Sequence, residues 1–136
     1  MRKAFLGILT ILVLALSLSS CGLADDIKSV QQVSEDFMTA LKERDYDAAF
    51  RLFSRDLQEE IGDAATLQSL AEANGVLPES WSFTNTNIST ENGETTGTVE
   101  GTVTYEDGGT GELQIYTLKV EAVTTVWILV GFNLTR

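Results

Sequence analysis

Few residues in this chain are equipped for chemistry, and their types narrow what that chemistry could be. The chain has 136 residues with one cysteine, Cys21, and no histidine. Lack of histidine removes the commonest general base and the commonest imidazole ligand for a transition metal. An acid–base pair would have to be drawn from Asp, Glu, Tyr or Lys. Tyr46, flanked by Asp45 and Asp47, has the right groups. The competing reading is that these carboxylates cap a helix and Tyr46 packs beneath it. Tyr105, Tyr116 and Lys119 could serve from a sheet if they faced a cavity. Gly108-Gly109-Thr110-Gly111 has the glycine density of a phosphate cradle. Such a loop needs a helix N-terminus behind it, and here a strand pattern follows, so the stretch reads as a turn. Glu106-Asp107 beside it lacks the ligand ladder of an EF-hand. Only hard oxygen ligands remain once Cys21 is assigned elsewhere, so no transition metal and no cofactor is expected.

The setting of Cys21 carries more information. Arg2-Lys3 precede an apolar run from Ala4 to Leu18, broken only by Gly7, Thr10 and Ser17. That run is about 15 residues, short of the roughly 20 that span a bilayer and matched to a secretory signal. A disulfide within the chain is impossible with one cysteine. Leu18-Ser19-Ser20-Cys21 resembles the lipobox of bacterial lipoproteins: an aliphatic residue, two small residues, then cysteine. The resemblance implies a signal peptide over residues 1–20, cleavage before Cys21, and a diacylglyceryl group on its thiol. Two or more acyl chains hold a protein stably on a membrane, where a single chain does not. Gly22 stands where an Asp would favour inner-membrane retention, and inner versus outer membrane stays open.

Removal of residues 1–20 takes Arg2 and Lys3 from the nine basic residues and none of the 20 acidic ones, leaving 7 against 20, or −13. Such a surface disfavours nucleic acid and anionic lipid, both of which attract basic proteins. The remaining length, about 116 residues, suffices for one domain with its own core.

The elements that must position these side chains follow from hydrophobic period. Residues 21–26 read as a lipidated N-terminus and tether, reaching at most about 20 Å if extended. Asp25 or Asp26 would cap a helix with Ile27, Val30, Val33, Phe37, Met38 and Leu41 on one stripe. After the polar break Glu43–Asp47 comes a helix over Ala48–Phe53. Ser54 caps a short third helix ending at Gly62, and Asp63 or Thr66 opens a fourth that buries Leu67, Leu70 and Ala71 and closes at Asn74-Gly75. Beyond Pro78 the period changes to alternation. Strands are expected from Trp81, over Thr95–Tyr105, over Leu113–Ala122 and from Val126, with Asn92-Gly93 as a hairpin turn. A switch of apolar side between Ile115 and Tyr116 suggests a bulge. Helices followed by a four-stranded meander spell an α+β domain.

Residues Ala40-Leu41-Lys42-Glu43-Arg44-Asp45-Tyr46-Asp47-Ala48-Ala49-Phe50, with the last strand Trp127-Ile128-Leu129-Val130-Gly131-Phe132, resemble the NTF2-like superfamily over residues 27–136. The likeness is narrower still to small lipoproteins of that kind whose function is unknown. It implies a cone, a curved antiparallel sheet wrapped over N-terminal helices, with a pocket between them and dimerisation through the sheet. Enzymes of the superfamily work through pocket Asp, His or Tyr, and no histidine is present to carry over.

The last strand poses its own question. Val126, Ile128, Val130, Phe132 and Leu134 fall on one side by strict alternation, with Trp127 and Leu129 on the other. Both sides are therefore apolar, where a sheet covered on one face should be polar on the other. The side bearing Trp127 and Leu129, extended by Tyr116, Leu118 and Val120, is expected to form a pocket or a partner interface. The overall expectation is a lipid-anchored extracytoplasmic module that binds or assembles without catalysis. It would pair with itself or with an envelope protein through the sheet. The alternative is a small-molecule isomerase or lyase using Asp or Tyr in the cone.

Overall fold

Alternation, capping and one unpaired residue in the last strand account for most of this architecture. The computed structural model describes residues 2–136, with side chains described from Gly22 onward. Helix α1 (Arg2–Lys42) is followed by α2 (Tyr46–Arg51), α3 (Arg55–Ile61) and α4 (Ala64–Ala73). Strands β1 (Pro78–Glu91), β2 (Glu94–Tyr105), β3 (Thr110–Glu121) and β4 (Thr125–Leu134) then form one sheet in the order β1-β2-β3-β4. Every neighbouring pair is antiparallel. The fold class is α+β, as the period change at Pro78 predicts.

The short helices begin where side-chain oxygens can satisfy their first amides. Asp45 accepts from the Ala48 amide, Ser54 from Leu57 and Asp63 from Thr66. Gly62 and Gly75 follow α3 and α4 at positive φ. Asn92 and Gly93 both have positive φ between the paired Glu91 and Glu94, the backbone that a two-residue hairpin matched to strand twist requires.

The expected cap of the first helix is a correction. Residues 22–26 continue α1, so Asp25 and Asp26 cap nothing, and Asp26 reaches Lys119 on β3 at 3.0 Å instead. The segment read as an extended tether is helical, which shortens its reach to about 8 Å at a 1.5 Å rise per residue.

One face of the sheet takes α1. Val30, Phe37, Met38 and Leu41 from the helix meet Val99, Val103, Tyr105, Leu113 and Ile115 in a single core. Gly97 allows the close approach: a Cβ there would lie 2.6 Å from a Val30 methyl and 2.7 Å from the Thr117 hydroxyl. Thr117 is buried in this contact and donates to the Gly97 carbonyl at 3.0 Å, which removes the cost of enclosing its hydroxyl. Three aromatic rings from separate elements, Phe37, Phe53 and Phe132, close the core with centroids 5.0–5.7 Å apart.

The free edge of β4 is partly covered by the link between α2 and α3. The Ser54 amide donates to the Leu129 carbonyl and the Leu129 amide to the Leu52 carbonyl, at 2.8 and 2.9 Å. Edge strands left open invite further pairing, and this backbone clasp blocks part of that edge.

Candidate functional site

The bulge that decides the faces lies in β4, not in β3 as alternation suggests. Tyr116 pairs with Gly131 and Thr117 with Leu129, so Val130 is the unpaired residue. An extra residue reverses the parity of everything beyond it, because side chains alternate with period 2. Trp127 and Leu129 therefore share the helix-facing side with Phe132 and Leu134, while Val126, Ile128 and Val130 face outward. Trp127 is 7% exposed and Leu129 0%. The expectation that these two form a second, external surface is corrected: they are core. β3 itself alternates without interruption, with Leu113, Ile115 and Thr117 buried and Tyr116, Leu118 and Val120 outside.

The second apolar surface exists, with different members. Tyr116, Val120, Val126 and Val130 are 39%, 36%, 48% and 37% exposed on the outer side of β3–β4, and half-buried Leu118 and Ile128 lie paired between them. The outer side of β1–β2 is unlike it, carrying Ser82, Asn85, Asn87, Thr98, Glu100 and Thr102. Half of the outer sheet is thus an ordinary solvated face, and half is an apolar strip. Tyr116 donates to the Gln114 side chain at 3.0 Å, which leaves its ring as part of the strip.

The groups capable of acid–base work are dispersed. Asp45 caps α2 and Asp47 lies exposed in its first turn, so the Asp45-Tyr46-Asp47 triplet is a helix start. Tyr46 is buried, and its hydroxyl has no hydrogen-bond partner among the described residues. Burial pushes its pKa up and the nearby Glu72 carboxylate pushes it further, so the phenol stays protonated at neutral pH. Tyr105 is fully buried and donates to the Thr135 carbonyl. Its pKa is likewise raised by burial, against the opposing charge of Arg136, which stands 5.8 Å from the ring centroid. Lys119 lies at the far end of the sheet between Asp26 and Glu121. The bond to Asp26 raises its pKa against the effect of desolvation, so it remains a cation. Tyr105, Tyr116, Trp127 and Leu129 do not converge on one cavity.

The acidic turn after β2 is spoken for. Arg44 donates to both oxygens of Glu106 at 2.9 and 2.8 Å, and Arg136 pairs with Asp107. Asp107 also accepts from the Gly109 amide, and that bond, followed by Arg136, holds its carboxyl below the ordinary range. Its glycines make a turn, as read from the sequence.

A cleft of about 240 Å³ opens between α4 and the end of β4. Leu41, Leu67, Leu70, Ala71, Val76, Phe132 and Leu134 supply apolar walls, and Asn74 and Asn133 are its polar side chains. Sequence reasoning put Leu70 inside the core. It stands 47% exposed at this cleft instead, because the residues α4 buries are Leu67 and Ala71.

The side chain of Cys21 lies outside those described, as do Leu18, Ser19 and Ser20. Among the described residues no helix is long and apolar enough to cross a membrane. Neither the models of protein families nor the curated proteins include a match to this chain.

Proposed function

We propose that the chain is a membrane-anchored extracytoplasmic lipoprotein, held by a diacylglyceryl group on Cys21. Its NTF2-like domain would act as a non-enzymatic binding or assembly module. The anchor rests on Arg2-Lys3, the signal-length apolar run and Leu18-Ser19-Ser20-Cys21. The NTF2-like cone rests on the Ala40–Phe50 and Trp127–Phe132 stretches, with helices packed on one face of a four-stranded antiparallel sheet.

One observation carries the module reading: the inward side of the sheet is filled by Tyr105, Ile115, Trp127 and Leu129, while the outer side of β3–β4 is apolar and open. Contiguous apolar patches of more than a few hundred Å² usually mark an interface. The partner would be a second copy of the chain or another envelope protein, seated on Tyr116, Leu118, Val126 and Ile128. The isomerase or lyase alternative would need a carboxylate or phenol aimed into a cavity. The apolar cleft offers two amides, and the buried phenols of Tyr46 and Tyr105 do not line it.

Mass spectrometry of the membrane fraction tests the anchor, with a diacylglyceryl-modified peptide beginning at Cys21 as the expected result. Cys21→Ser should move the protein out of that fraction. An intact N-terminus with a free thiol would overturn the reading. Sedimentation at micromolar concentration, compared with Ile128→Glu, tests the outer strip as a self-association surface.

A further inference from the structure

The end of the domain nearest Cys21 has a shape that the anchor alone does not explain. Helix α1 runs along β3 in the opposite direction. Asp26 meets Lys119, Val30 lies over Gly97 and Thr117, and Phe37 packs at a tilt against Phe132, whose strand partner is Ile115. From Asp26 to Phe37 the helix rises about 16 Å, and from Lys119 to Ile115 the strand covers about 13 Å, so over this stretch α1 and β3 advance by similar amounts in opposite senses. Extending both past the Asp26–Lys119 pair carries them out of the same end. Position 21 then lies about 8 Å beyond Asp26. The β3–β4 tip, Ala122–Thr124, lies about 10–13 Å beyond Lys119.

Position 21 and the hairpin tip thus lie at the same end of the domain, with the tip reaching about 2–5 Å further out. The tip is apolar where turns are ordinarily polar: Val123 is fully exposed, Val120 and Val126 flank it as a paired couple, and Leu23 on α1 is more than half exposed. Residues 22–26 are helical and Asp26 pairs with Lys119, which ties the base of the tip to the helical turn that follows Cys21.

We propose that the β3–β4 tip, with Val123 at its apex and Leu23 beside it, is a second membrane contact that dips into the interface of the bilayer holding the Cys21 lipid. It fixes how the domain stands on that bilayer. This rests on lipidation of Cys21. Apolar side chains at an interface reach about 5–10 Å below the headgroup boundary, within the span of this tip. The occupant is a zwitterionic surface, because the carboxylates at this end of the sheet and helix, Asp25, Glu121 and the strand ends Glu91 and Glu94, repel anionic lipid. The neighbouring β1–β2 turn is the shorter one: Thr96 stands opposite Leu118, which places Asn92-Gly93 near the level of Glu121–Ala122. A tilt toward β4 therefore lowers Val123 while holding the two glutamates back.

The test uses the full mature protein, purified with its lipid and reconstituted in phosphatidylcholine vesicles. With the native thiol acylated, Val123→Cys supplies a single site for an environment-sensitive fluorophore, and Thr110→Cys supplies the same at the opposite end. The expected result is a blue-shifted emission at position 123 and severalfold stronger quenching there by spin-labelled lipid than at 110. Replacing part of the phosphatidylcholine by phosphatidylglycerol should weaken that quenching while the protein still floats with the vesicles. Equal quenching at 123 and 110 in protein that floats would overturn the contact and leave the anchor intact. Protection from aqueous iodide without lipid quenching would show that protein covers the tip, and would also overturn it. Failure to float would remove the anchor and this inference with it.

Discussion

The two sides of β4 carry residues of similar hydrophobicity and have opposite fates. Trp127 and Leu129 are buried in the core that also holds Phe37 and Phe53, while Val126 and Val130, one position away, are partly exposed on the outer side. Hydropathy does not separate them. Parity does, and parity is set by one unpaired residue, Val130, together with the backbone clasp from Leu52 and Ser54 onto Leu129. An apolar residue is a core residue only if the pleat turns it toward something that covers it. The outer strip is what remains when that cover is missing, which is why it, and not the filled interior, is the surface to examine for a partner.

The comparison can be broken most forcefully by deleting Val130. Without the bulge, either Trp127 and Leu129 or Phe132 and Leu134 must turn outward. The expected loss is more than about 4 kcal/mol, into the range that only disrupted cores reach. Urea unfolding monitored by tryptophan emission measures it, and a small loss would mean that the bulge can migrate. Leu129→Ala should cost about 2–5 kcal/mol, as truncation of a fully buried leucine does. The outer-face change Val126→Thr should stay within about 0.5 kcal/mol. Near-equal effects from these two would erase the distinction between the sides. Ser54→Ala removes the cap of α3 beside the clasp and should cost about 1 kcal/mol.

The smallest effect concerns pH. Hydrogen bonds from the Thr66 hydroxyl and amide hold Asp63 below the ordinary carboxylate range, and the Gly109 amide and Arg136 do the same for Asp107. A depressed pKa means that the unfolded chain takes up protons first as acid is added. These contributions are complete above about pH 5 and fade as pH falls below about 4, through the folded values. Both carboxylates are solvent-exposed, so the change is slight. Asp63→Asn, which caps as well as Asp, should flatten the dependence of melting temperature on pH in that window without lowering stability at pH 7. An unchanged slope would show that other carboxylates dominate acid unfolding.

Local chemistry made much of the domain legible before any tertiary contact was known. The order of helices and strands follows from a period change at Pro78. Ser54 and Asp63 cap as their side chains allow, and Asn92-Gly93 forms a turn that few other pairs could make. The assignment of Asp45 to capping, with Tyr46 packed beneath, also follows from short-range preference. These are interactions within four residues, so the sequence encodes them directly.

What only the tertiary structure decided depends on partners far away in sequence. Asp26 meets Lys119 across the core, and no helix-start preference could reveal that α1 passes through it. Alternation in β4 alone placed Phe132 with Val126, because a pattern of period 2 cannot show where an extra residue interrupts pairing with a neighbouring strand. The sequence determined that β4 is apolar on both sides. Which side became core was settled by α1 and the Leu52–Ser54 clasp, since burial is a property of what packs against a residue and not of the residue itself.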